Sequence, residues 1–172
     1  MNKKKFVFIF TLIFIILIIL SAIFYQLNRK TAVYTIYSGD KQMWNHIFDE
    51  GKSSYTFKEA PLGVILPHHM IVAYDLAKFY EGLSKIKTPS TIYIIGPNHY
   101  ETGSADIQTC DNCIYKTSLV GLDSDLEVNS EIVEKLEKEK IANISNESFK
   151  KEHAIFSHAA YIKKYFPNAK IV

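Results

Sequence analysis

Between Phe6 and Tyr25 the chain carries no charge, and only Thr11 and Ser21 interrupt the apolar side chains. At about 1.5 Å per residue, a helix over 6–25 covers a hydrocarbon layer roughly 30 Å thick. A cleaved signal peptide competes for this pattern, but its apolar region is usually about 7–15 residues long and ends in small residues. Here Ser21-Ala22 runs into Ile23, Phe24 and Tyr25, and no cysteine follows for lipid attachment. The segment therefore reads as an uncleaved single-pass transmembrane anchor at 6–25 behind a basic tail at 1–5. Lys3, Lys4 and Lys5 outweigh Arg29 and Lys30 slightly, which favours a cytoplasmic N-terminus and an extracytoplasmic folded part.

Residues 26–59 scatter Tyr34, Tyr37, Trp44 and Phe48 among polar positions with no sustained period, so they read as a linker with local structure. Regular patterning starts near residue 60. Leu62–Leu66 is an apolar run suited to a strand, and Val72, Leu76, Phe79, Leu83 and Ile86 recur at helical spacing. Thr88-Pro89-Ser90 ends that helix, and the β-branched and aromatic run Thr91–Ile95 predicts a strand buried on both faces. Strand, helix, strand predicts a parallel pair with a right-handed crossover, so the ends after Leu66 and after Ile95 emerge at one edge.

Residues 101–128 are rich in Asp, Asn, Gly and Ser and predict loops or short strands. Asn129 or Ser130 can cap a helix with Ile132, Val133, Leu136 and Ile141 as its apolar stripe. A last helix follows Glu152-His153, with Ile155, Ala159, Ile162 and Phe166 on one stripe, and ends at Pro167-Asn168. Ala169–Val172 reads as the start of another strand, so the expectation is an α/β domain over 60–172 that is truncated at its C-terminus.

Composition changes this picture little: 48% hydrophobic and 22% charged residues exclude a disordered or collagenous chain. The formal charge of +2 misleads, because five of the 20 basic residues lie in the first thirty and the remaining 15 face 18 acidic ones. No nucleic-acid partner is indicated. Cys110 and Cys113 are the only cysteines; they lack the further ligands of a structural zinc site, and their Thr-Cys-Asp-Asn-Cys setting reads as a turn. They are a candidate loop disulfide, or else two free thiols.

The chemistry gathers at the strand ends. Pro67-His68-His69 and Gly96-Pro97-Asn98-His99-Tyr100 each place a histidine just past an apolar run, where α/β proteins hold ligands. His68 and His99 are the metal-ligand candidates, since neutral imidazoles there suit copper, iron or zinc. His69, adjacent in an extended segment, is expected on the opposite face. His153 begins a helix, where the dipole disfavours imidazolium and suits a general base or proton relay; it is the catalytic candidate. Asn98, Tyr100 and Glu152 are candidate pocket residues. His158 reads as a core-edge histidine, and His46 carries no role.

Leu66-Pro67-His68, Gly96-Pro97-Asn98-His99-Tyr100 and Glu152-His153, in this order, resemble the Memo-like proteins, which include component B of the AmmeMemoRadiSam system. The run Phe166-Pro167 to Lys170-Ile171-Val172 resembles the family's entry into its next strand. The resemblance implies a three-layer α/β/α sandwich with a mainly parallel sheet, similar to the LigB-type class III extradiol dioxygenases. It also implies a metal pocket at the strand ends, with His68 and His99 as metal-site histidines and His153 as a third pocket histidine. A remaining ligand, a cysteine or carboxylate, would lie beyond residue 172. The chain departs from the family pattern at Met70, where glycine is usual, and at Phe156, where glutamate is usual; Thr117-Ser118-Leu119-Val120 blurs a Thr-Pro-Leu-Gly segment.

The function expected from these residues is that of a membrane-anchored metalloprotein with a redox metal, copper or iron, acting on a small molecule. The alternatives are a non-catalytic module that binds a peptide or sequesters metal, and a zinc hydrolase.

Overall fold

A computed structural model describes residues 3–34, 39–52, 55–104 and 106–172, with the side chains of 3–7 and 27 outside that description. Tyr37 of the expected linker lies outside the described residues. The chain divides into two units, Met1–Lys30 and Thr31–Val172.

The first unit is the helix α1 (Lys3–Leu27). Its Phe8–Gln26 stretch is long and apolar enough to cross a membrane, and its side chains are exposed. A signal sequence near the N-terminus meets the same two requirements.

The second unit mixes short strands with helices. Its strands are β1 (Thr31–Val33), β2 (Thr91–Ile92), β3 (Gln108–Thr109), β4 (Cys113–Tyr115), β5 (Leu126–Glu127), β6 (Asn143–Ile144) and β7 (Lys170–Ile171). Its helices are α2 (Lys41–Glu50), α3 (Ala73–Ser84), α4 (Ser130–Lys138) and α5 (His153–Tyr165). The pairs β1–β4, β2–β7 and β3–β6 are parallel, and β4–β5 is antiparallel. A parallel bridge from Val128 to Ile171 joins the end of β5 to β7, so pairing runs in the order β1, β4, β5, β7, β2.

Two expectations need correction. The strand at Leu62–Leu66 does not form: Leu62 and Ile65 are fully exposed, and no described strand runs beside this segment to satisfy its backbone. The ladder of β2 is made with β7, so the predicted pairing of 62–66 with 91–95 does not occur among the described residues. The second strand is also shorter than expected. Beyond Ile92 only Ile94 N–H continues the pairing, donating to Val172 O at 3.0 Å, while Tyr93 and Ile95 are exposed.

The segment expected to be a linker instead contributes β1 and α2 to the second unit. Asp40 caps α2 by accepting from Met43 N–H at 2.9 Å, and Trp44, Ile47 and Phe48, spaced three and four apart, bury one face. Of the two caps expected for α4, Asn129 is the one used, its side chain accepting from Ile132 N–H.

Helix α5 is the centre of the core. Every residue from Ala154 to Ile162 is buried, so the expected stripe is replaced by burial all round. Tyr161 stacks on Tyr80 with ring centroids 5.6 Å apart, meets the Trp44 ring edge-on at 5.4 Å, and donates its hydroxyl to Ala73 O at 3.1 Å.

His158 shares a 3.0 Å hydrogen bond with the Tyr80 hydroxyl and is 5% exposed. Burial, with His68 adding to it, pushes its pKa down to about 4. The folded state thus favours neutral imidazole, so its contribution is complete above the ordinary value of about 6.5 and is lost as pH falls from there towards 4. In metal-free protein, denaturant unfolding should show wild type losing up to about 3 kcal/mol more than His158→Gln across that window. Parallel pH profiles of the two proteins would contradict this.

Candidate metal centre

Three elements deliver the histidines. His68 follows Pro67 on the extended segment that leads into the turn Met70–Val72 and then α3. His99 sits in the turn beyond β2, where Asn98 holds the chain: its Nδ2 donates to Thr102 O at 2.7 Å and its Oδ1 accepts Thr102 N–H at 3.3 Å. His153 is the first residue of α5.

These three histidines meet. Ring centroids are 4.9 Å apart for His68 and His99, 5.7 Å for His68 and His153, and 4.2 Å for His99 and His153. A nitrogen from each ring lies within 4.8 Å of the other two, close enough for one ion to draw on all three. Burial, followed by the neighbouring histidines His69, His99 and His153, lowers the pKa of His68 and keeps its ring neutral, the form that binds metal. Its Nε2 is buried without a hydrogen-bond partner.

Glu152 organises the cluster. The carboxylate is 5% exposed and accepts from His99 Nδ1 at 2.7 Å, from His99 N–H at 2.9 Å and from Ala154 N–H at 2.8 Å. Burial pushes its pKa up, but these hydrogen bonds outweigh burial and hold the carboxyl below its usual range. With Nδ1–H donated to the carboxylate, His99 is left with Nε2 as its free donor, the arrangement found behind most metal-ligating histidines. The same carboxylate caps α5, so one side chain sets both the helix start and the ring of His99.

A cavity of about 620 Å³ opens beside the cluster, lined by His68, His69 and His153 with Tyr34, Trp44, Met70, Tyr100, Phe156, Ser157, Lys150 and Lys151. His69 corrects the expectation that it turns away: its ring stacks on His68 at 4.7 Å. Tyr100 stands on this cavity, 6.5 Å from the His153 ring. Asn98 does not; it lines a separate, largely apolar cavity of about 360 Å³. His46 lies against Tyr74 and takes no part in the cluster.

Cys110 and Cys113 are joined by a disulfide, with Cα atoms 5.7 Å apart. Tyr34, Trp44, Lys150, Lys151 and Ser157 are cavity residues that the sequence pattern did not single out. An Asp40 cap followed by the Trp44, Ile47, Phe48 spacing was the available signal for α2; nothing in the pattern marked the two lysines.

Comparison with known proteins bears on the same span. A MEMO1 family protein of Caldivirga maquilingensis is 33% identical over 116 residues, covering 64% of this chain and 39% of that protein. One from Pyrobaculum arsenaticum is 29% identical over 117 residues, covering 66% of this chain and 40% of that protein. The chain thus spans about two fifths of the length of the curated relatives it matches. No solved structure matches it. The family model described as Memo-like protein matches residues 30–172, the whole of the second unit, and the chain belongs to the Memo-like family.

Proposed function

We propose that the chain is a membrane-anchored metalloprotein that holds a redox metal, copper or iron, between His68, His99 and His153 and oxidises a small molecule in the adjoining cavity. The observation that carries this reading is the buried, unpaired Nε2 of His68 beside two further imidazoles. A buried polar atom left without a partner costs about 1–3 kcal/mol, and a metal ion would relieve that cost. An all-imidazole donor set suits copper, iron and zinc, whereas magnesium and calcium prefer oxygen.

A bound copper or iron would supply a one-electron couple and a polarising charge. The chain's own residues do the rest. Glu152 holds His99 in the tautomer that leaves Nε2 free, His153 supplies a third nitrogen, and Trp44, Tyr100 and Phe156 line the cavity. The short ladders, with helices packed against them, support a three-layer α/β/α sandwich of the LigB type as the complete architecture. The Phe8–Gln26 helix supports an anchor, and the Cys110–Cys113 disulfide supports an extracytoplasmic placement, because such bonds persist in oxidising compartments.

One observation favours a non-catalytic binding module as the second reading. Met70 and Phe156, which stand where the resemblance implies glycine and glutamate, both line the cavity and make it more apolar than a proton-transfer site requires.

Metal analysis of the purified full chain tests the first reading. Stoichiometric copper or iron is expected in wild type, with strong depletion in His68→Ala and His99→Ala. Metal-free wild type, or content unchanged by both substitutions, would sink it. Wild-type metal content in His153→Ala would move His153 from ligand to proton carrier.

A further inference from the structure

We propose that Tyr80 and His158 form a radical-storage pair in the core: a one-electron oxidant arising in the histidine cavity draws an electron from Tyr80 through Tyr161 and Trp44, while the Tyr80 hydroxyl proton passes to His158 Nδ1. Only the supply of that oxidant rests on the redox-metal reading. The pair itself rests on geometry.

Tyr80 lies on α3 and His158 on α5, 6% and 5% exposed, and the phenol oxygen stands 3.0 Å from Nδ1, within reach of direct proton transfer. A buried phenol needs an acceptor for its one hydrogen, and Nδ1 is the acceptor that the described residues supply, so the hydroxyl donates and the imidazole accepts. Other tyrosines are placed differently. Tyr161 donates to the Ala73 carbonyl, which cannot keep a proton, and Tyr55 donates to Asp75 at the surface. Among the described residues, Tyr80 is the tyrosine whose hydroxyl meets an imidazole.

That pairing decides what oxidation produces. Burial pushes the phenol's pKa up and that of His158 down, so the pair rests as neutral phenol and neutral imidazole. Loss of an electron turns a phenol into a far stronger acid than imidazolium. The Tyr80 O–H bond then breaks, an N–H bond forms on Nδ1, and a neutral phenoxyl radical remains beside an imidazolium that carries the positive charge. The imidazolium stays hydrogen-bonded to the phenoxyl oxygen, so the proton returns when an electron does.

The electron has a route. Tyr80 stacks on Tyr161 with ring planes 4° apart and centroids 5.6 Å apart, and Tyr161 meets Trp44 at 5.4 Å. Trp44, wholly buried, backs the wall of the cavity that His68 and His153 line. Each step is short enough for electron tunnelling between π systems, and the surrounding core shields the phenoxyl from solvent reductants.

The test uses the full chain in detergent, first stripped of metal by a chelator and oxidised with photo-excited ruthenium tris-bipyridyl and persulfate. Electron paramagnetic resonance, with ring-deuterated tyrosine to identify the phenoxyl, should show a long-lived tyrosyl signal. Tyr80→Phe and His158→Gln should each lose it, Tyr74→Phe at an exposed site should keep it, and heavy water should slow its formation. Circular dichroism confirms that the variants are folded. No long-lived signal in wild type, a signal that survives Tyr80→Phe, or one unchanged in folded His158→Gln would overturn the pair. In a second arm, copper- or iron-loaded chain treated with hydrogen peroxide should give the same signal, formed more slowly in Trp44→Phe. Its absence at verified metal content would overturn the link to the cavity. A chain that takes up no metal yet forms the signal in the first arm would refute the metal reading and leave the pair standing.

Discussion

Glu152→Ala is expected to weaken metal binding by about 10–100-fold, the usual effect of removing the carboxylate behind a ligating histidine. The loss has two sources. His99 Nδ1 and the His99 N–H lose the acceptor that orients them, and α5 loses its cap, worth about 1 kcal/mol. Glu152→Asp separates them, because aspartate caps helices well but is one methylene too short to reach the His99 ring. Titration of metal-stripped protein against a chromophoric chelator should show Glu152→Asp nearly as weak as Glu152→Ala, with thermal stability closer to wild type. Wild-type affinity in the aspartate variant would mean that Glu152 only caps the helix.

Trp44→Ala should cost about 3–5 kcal/mol, a large share of the roughly 5–15 kcal/mol that holds a domain together. Trp44 is completely buried, packs against Phe48 and Tyr161, and lies on the wall of the cavity. The side chain therefore connects α2 to the buried middle of α5. Denaturant unfolding followed by far-UV circular dichroism measures the effect. Lys41→Ala, at the exposed start of the same helix, should stay within about 0.5 kcal/mol of wild type. If the two substitutions cost the same, α2 is a detached arm rather than part of the packed unit.

The three histidines were legible because each interrupts a pattern: His68 and His99 follow apolar runs, and His153 follows a helix cap. The meeting of His68 and His99 was expected from a strand pair that the structure does not make, and that of His153 with them only from the family resemblance. His68 reaches the cluster on an extended, exposed segment instead. The apolar run Leu62–Leu66 misled because hydrophobic composition predicts a buried strand only where a neighbour exists to pair with it, and composition says nothing about the neighbour. Helix α2 was missed for the opposite reason. Its apolar face has only three fully buried members, too short to stand out from scattered aromatics, and its burial depends on Tyr161, which is far away in sequence. The capping of α4 by Asn129 and of α5 by Glu152 was readable because such signals are local.

The histidines are mounted on supports of very different firmness. His153 and the carboxylate that steers His99 are fixed to α5, whose body is enclosed on every side, whereas His68 follows a segment in which Leu62 and Ile65 are exposed. An ion captured here would act like a rivet through a steel post and a strip of cloth. Most of the motional freedom surrendered on binding would come from the strip, so stiffening residues 61–67 should raise affinity without touching any ligand.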